Sequence, residues 1–78
     1  MSPIRIVLAD DHPVVRSGIR NLLERAVDIS VVGEASTGGE ALRLVEELNP
    51  DILLLDMELP DVKGIEVAQQ LKQGGSGV

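Results

Sequence analysis

Three carboxylates stand at the ends of two apolar runs. Asp10 and Asp11 follow Ile4-Arg5-Ile6-Val7-Leu8-Ala9, and Asp56 follows Ile52-Leu53-Leu54-Leu55. If both runs are neighbouring strands of one sheet, the three acids converge on one small area. Two such charges about 5 Å apart repel by roughly 3 kcal/mol at an effective dielectric of ~20, a cost that a cation or a proton relieves. Oxygen donors favour Mg²⁺, Mn²⁺ or Ca²⁺ over zinc. Each acid alone has a plainer reading, since Asp forms turns after strands and caps helices that begin with proline. Three of them at two strand ends outweigh it and point to a metal or phosphate site.

Other polar residues carry less. His12 is the only histidine, and it stands where a helix N-cap belongs. A lone histidine makes neither a zinc site nor a triad. Glu34 closes a run containing Ser30 and Gly33, which reads as an exposed edge strand with its acid in solvent. Arg16, Arg20 and Arg25 fall on the polar side of a helix, and Glu46-Glu47 on another wet face.

The elements that must position the acids follow from apolar spacing. Runs starting at Ile4, Ile29 and Ile52 are short and rich in branched aliphatic residues, as strands are. Pro13 suits a first helical position, and Val15, Ile19, Leu22, Leu23 and Ala26 then form one apolar stripe. Gly18 inside that helix costs ~1 kcal/mol relative to Ala, which predicts close packing against a neighbour there. Thr37 and Glu40 have capping-box spacing, Ala41, Leu44, Val45 and Leu48 form the second stripe, and Asn49-Pro50 ends it. Ile65, Ala68 and Leu71 mark a third helix, closed by Gly74-Gly75-Ser76-Gly77. Three strand–helix units with short connections predict an α/β fold with a parallel sheet and right-handed crossovers. Ligands of such sheets bind beyond the carboxyl ends of the strands, which is where the three acids lie.

Composition narrows the function. The chain has 78 residues, thirteen acids against seven bases, a net charge of −6, no cysteine and no aromatic residue. That length predicts one small domain held by its core alone, without disulfides or thiolate metal sites. The acid excess argues against a nucleic-acid or anionic-membrane partner, and nucleobases and flavins lack a stacking platform. No signal peptide is visible, and the longest apolar run is four residues, so a cytoplasmic domain without a membrane span is expected.

With these residues in place, the chain resembles the receiver domain of bacterial two-component response regulators of the LuxR/NarL type. The resemblance lies in IRIVLADDHPVVRSGIRNLL, GEASTGGEALRLVEELNPDILLLD and DMELPDVKG, and it runs from Ile4 to Lys72. The combination is specific: an acidic pair after the first strand, one Asp after the third, then Pro60 and Gly64. It implies a three-layer flavodoxin-like (receiver) fold, with residues 1–73 a partial domain and 74–78 a flexible tail. It implies Asp56 as phosphoacceptor, with a sensor histidine kinase as donor. Asp11, Asp56 and the Met57 carbonyl would hold Mg²⁺ or Mn²⁺, with Asp10 acting directly or through water. Glu58 would tune access of water, and Pro60 and Gly64 would shape the acceptor loop. Lys63 departs from the acidic or small residue usual there.

A receiver has five such units, and three are present. The family's hydroxyl residue of strand four, its lysine after strand five and its switch aromatic have no counterparts here, nor does the DNA-binding helix-turn-helix of the longer regulators. The implied strand order is 2-1-3, with Ile52-Leu53-Leu54-Leu55 at an edge although the run reads as buried on both faces. An open apolar edge is a template for another chain, so a homodimer through the third strand is expected. The alternative to an acceptor module is a half-receiver that pairs and folds without phosphorylation chemistry. A haloacid-dehalogenase-like phosphohydrolase fits poorly, because Glu58 stands where its second Asp belongs. A self-phosphorylating signalling domain, rather than a turnover enzyme, is the expectation.

Overall fold

The computed structural model describes residues 2–78. Six elements alternate along the chain: β1 (Ile4–Ala9), α1 (Pro13–Glu24), β2 (Ile29–Ala35), α2 (Gly38–Leu48), β3 (Ile52–Leu55) and α3 (Gly64–Gln73). The strands form one parallel sheet in the order β2-β1-β3, as expected from the alternation. β1 is central, and its residues Ile6, Val7, Leu8 and Ala9 are all buried. Its neighbours are set by register: Ala9 lies beside Ala35 on one side and Leu55 on the other. One extra residue, Val32, bulges β2 where Ile6 pairs with Val31 and Val7 with Gly33.

The main core lies between the sheet and the α2–α3 pair. Ala9, Ala35, Ala41, Leu59 and Val67 form its buried centre, with Leu44, Leu53, Leu55 and Leu71 packed around them. Successive strand residues point to opposite faces, so Leu54 leaves this core and instead lines an open cleft with Leu8, Val15 and Ile19.

Helix termini follow the sequence signals in most places. Thr37 Oγ1 accepts the Glu40 amide at 3.1 Å, but the Glu40 carboxylate takes the Ser36 hydroxyl at 2.9 Å instead of closing a reciprocal box. Asn49 adopts the left-handed conformation (φ 47°) that ends α2 before Pro50. Gly75 does the same for α3 at φ 74°, where the Ser76 amide reaches Leu71 O and the Gly75 amide reaches Lys72 O.

Four packing expectations need correction. The α1 stripe is covered along one flank only: Ile19 and Leu23 are half-buried, whereas Val15 and Leu22 are exposed and no α1 residue is fully buried. Gly18 is exposed, and a Cβ there would meet nothing within 4 Å, so no close approach requires glycine. In α3 the inward positions are Gly64, Val67 and Leu71, while Ile65 and Ala68 face out. The spacing of Ile65, Ala68 and Leu71 is helical, but tertiary contact chose the adjacent face. β3 is half-buried on one face, through Leu53 and Leu55, rather than buried on two, with Ile52 and Leu54 exposed at the sheet edge.

Candidate functional site

Parallel pairing of β1 with β3 places the residues that follow them side by side. The Asp56 amide donates to Ala9 O at 2.9 Å and the Asp10 amide to Ala35 O at 3.0 Å, so both acids continue the ladder one step past the strands. Asp10, Asp11, His12 and Asp56 bring one ligand atom each within 4.8 Å of one another. The three acids singled out from the sequence therefore meet at the carboxyl end of the sheet. A cleft of about 440 Å³, lined among others by Asp10, His12, Val15, Leu54 and Asp56, opens beside them.

Each carboxylate has a different setting. Asp10 is the one buried charged residue among those described, with 8 % of its surface exposed. Its Oδ1 accepts the His12 amide at 2.7 Å and faces His12 Nδ1 at 2.9 Å. The His12 amide, more than any other contact, holds its carboxyl below the usual carboxylate range, against the opposing effect of burial. Asp56 Oδ1 accepts the Glu58 amide at 3.1 Å, which turns the chain away from β3 and leaves Oδ2 toward the cluster. Asp11 Oδ1 is buried and has no hydrogen-bond partner among the described residues. His12 Nδ1 stands 3.0 Å from it, but that approach does not make a hydrogen bond.

His12 is the residue that sequence reading undervalued. It does occupy the N-cap position of α1, yet its side chain makes no cap hydrogen bond. Its ring turns back over the acids, 2.9 Å from Asp10, 3.0 Å from Asp11 and 3.6 Å from Asp56. The Asp10 hydrogen bond first, then the Asp11 charge, push its pKa above the ordinary imidazole value. Its side chain is 63 % exposed. The acid-acid-histidine run at a strand end was the available signal.

A second ionic group borders the site. Arg16 Nη1 donates to Asp10 O at 2.9 Å, and Arg16 Nε lies 3.2 Å from Glu34 Oε1. Arg20 bonds the other Glu34 oxygen and also Glu24. Glu34 thus sits between two arginines rather than in solvent, and Arg16 and Arg20 are not a free wet face.

The segment between β3 and α3 is built by close backbone contact. Gly64 N donates to Met57 O at 2.9 Å, and Glu58 bridges Lys63 across the loop. A Cβ on Gly64 would lie 2.5 Å from the Asp56 carbonyl oxygen, so only glycine fits. The Met57 side chain is exposed and its carbonyl, with one lone pair engaged by Gly64, has a second available.

The donor set suits a hard divalent cation. It offers carboxylate oxygens at three positions, one of them buried without a partner, with an exposed imidazole at the open side. No helix among the described residues is long and apolar enough to cross a membrane.

A doubly wound parallel sheet with an acidic cluster beyond β1 and β3 defines a receiver-type domain. Residues 6–78 match the response regulator receiver domain family, and the chain belongs to it. It is 45 % identical over 71 residues to the nitrate/nitrite response regulator protein NarL of Escherichia coli K12, covering 91 % of this chain and 33 % of that protein. It is 47 % identical over 68 residues to the transcriptional regulatory protein LiaR of Bacillus subtilis, covering 87 % and 32 %. The chain spans about a third of the length of the curated relatives it matches. A LuxR-family two-component response regulator from Aurantimonas superposes with a TM-score of 0.88 at 48 % identity, over 94 % of this chain and 52 % of that one. The signal receiver domain of NarL from Mycobacterium tuberculosis gives 0.96 at 35 % identity, over 99 % and 62 %.

Proposed function

We propose that this chain is the phosphoacceptor part of a two-component response regulator, taking a phosphoryl group from a sensor histidine kinase onto Asp56 in the cytoplasm. The observation that carries the reading is that Asp56 clusters with Asp10, Asp11 and His12 beside an open cleft, its Oδ2 3.6 Å from His12 Nδ1. Its other oxygen is engaged by the Glu58 amide, which fixes the carboxylate for attack. Oδ2 attacks phosphorus, the new O–P bond forms as the N–P bond of the phosphohistidine breaks, and the electron pair stays on the histidine nitrogen. Asp11, Asp56, the Met57 carbonyl and Asp10 would hold Mg²⁺ or Mn²⁺, which would supply compensation for the charge on the phosphoryl oxygens. His12 lies exposed at the mouth of the site, and Glu58 stands two residues past Asp56, where it would tune access of attacking water. The DNA-binding output suggested by relatives named as transcriptional regulators belongs to a longer protein.

The test is labelling by acetyl phosphate with and without Mg²⁺. Labelling that needs Mg²⁺ and disappears in Asp56→Asn supports the reading, and labelling that survives Asp56→Asn overturns it. Without the family's phosphoryl-binding hydroxyl and lysine, this 78-residue chain is expected to label slowly.

A second reading concerns assembly. β3 forms the sheet edge and exposes Ile52 and Leu54 beside its unpaired flank. We infer that two copies of the 78-residue chain pair antiparallel through β3.

A further inference from the structure

The loop carrying Asp56 is anchored a second time, far from the acids. Asp61 Oδ1 accepts the Gly38 amide at 2.7 Å and Oδ2 accepts the Gly39 amide at 2.9 Å. These are the first two amides of α2, which an α-helix cannot satisfy internally. Thr37 already serves Glu40, and Ala41 N reaches Thr37 O, so the start of α2 is fully partnered and offers nothing to a free anion. The contact crosses 22 and 23 residues of sequence, so it ties two elements together rather than capping one. Steric fit reinforces it: a Cβ on Gly38 would lie 2.2 Å from Val62 Cγ2 and 3.1 Å from Val67 Cγ2.

The rest of the loop transmits that anchor to the acceptor. Its base is closed by Gly64 N on Met57 O and by the Glu58–Lys63 bridge. Leu59, between base and tip, is buried in the core. With Asp61 fixed on α2, a short loop of nine residues from Asp56 to Gly64 is held at its base, its middle and its tip. Asp56 and Met57 are the first two residues of that loop.

From this double clamp on the α2 amides, we infer that Asp61 is a positioning residue for the acceptor loop, setting where Asp56 and the Met57 carbonyl stand. The inference rests on the phosphoacceptor reading of Asp56. It differs from simple helix capping, because Thr37 caps the same helix end through the Glu40 amide, within α2 itself.

The pair Asp61→Ala and Thr37→Ala in the full chain separates the two roles. Each removes a side-chain partner of the α2 amides, and only Asp61→Ala releases the loop. Three quantities are read: acetyl phosphate labelling per folded molecule, Mg²⁺ affinity from the Asp56 amide resonance, and hydrogen exchange of the Gly64 amide. In Asp61→Ala, labelling is expected to fall about tenfold, as displacement of a reacting group by a fraction of an ångström does. Mg²⁺ binding weakens and Gly64 exchanges faster, while Thr37→Ala leaves all three at wild-type values. Asp61→Asn, which keeps one acceptor oxygen, lies between and carries the test if Asp61→Ala fails to fold. Wild-type labelling in Asp61→Ala, or an equal loss in Thr37→Ala, overturns the inference. If the wild type takes no label, the acceptor reading fails, and Gly64 exchange alone decides whether Asp61 holds the loop.

Discussion

Gly64 lies against the backbone of Asp56: its amide donates to Met57 O at 2.9 Å, and its Cα leaves no room for a side chain before the Asp56 carbonyl. The start of α3 is thereby welded to the residue that follows β3. A helix placed by packing alone would let that carboxylate drift with the helix. Here the same glycine sets helix position and carboxylate position together.

Gly64→Ala is therefore expected to be costly. The added Cβ would fall 2.5 Å from the Asp56 carbonyl oxygen and 2.9 Å from Met57 Cα, both backbone atoms that no rotamer change can move. Overpacking of this kind costs about 2 kcal/mol. Chemical denaturation should show that loss. By contrast, Gly18→Ala should stabilise the chain by ~1 kcal/mol, since open space surrounds Gly18 in a helix interior.

On the proposed reading, His12 and a divalent cation would compete for the same oxygens. The ring stands within 3.6 Å of all three carboxylates. Mg²⁺ addition should shift the His12 ring resonances with the same midpoint as the Asp56 amide. Removing the competitor in His12→Ala should tighten Mg²⁺ by about threefold, the scale of an exposed ion pair. An unchanged ring at saturating Mg²⁺ would show that the ion binds elsewhere.

Much of this was legible in the chain, and the remainder has a common cause. Strand–helix alternation and the position of Asp10, Asp11 and Asp56 after apolar runs follow from local periodicity, so order and site edge were foreseeable. The turn of His12 onto the acids, the Arg16–Glu34–Arg20 group and the Asp61–Gly38–Gly39 clamp depend on where separate elements land. Local pattern placed His12 at an N-cap and Glu34 in solvent, which are the right defaults for residues without a tertiary partner. Val67 in place of Ile65 is the same lesson in the core: both lie on a helical repeat, and only the α2 face decides which is inside.

Asp61 also predicts an acid limb in stability. The Gly38 amide first, then the Gly39 amide, hold its carboxyl below the ordinary 3.8. A group whose folded pKa lies below its unfolded one contributes stability at pH above the unfolded value and loses it as pH falls through the folded value. The stability gap between wild type and Asp61→Asn should be constant above about pH 5 and close below the unfolded carboxyl value of about 3.9. Denaturant midpoints for both chains across pH 2.5–6 would measure it. A gap that persists unchanged at the acid end would mean that the charge on Asp61 contributes nothing.

The exposed flank of β3 supplies the last expectation. Leu54 is 37 % exposed and Ile52 41 %, on a strand whose outer edge has no partner among the described residues. Leaving such side chains in water forgoes ~1.5–3 kcal/mol each when fully exposed, so pairing recovers a part of that. Leu54→Lys places a charge on the face that a second copy would cover, at a position half in solvent already. Sedimentation of the 78-residue chain at micromolar concentration should give a dimer for the wild type and a folded monomer for Leu54→Lys. A wild-type chain that sediments as a folded monomer would remove the paired-edge reading while leaving the acid cluster, and its chemistry, untouched.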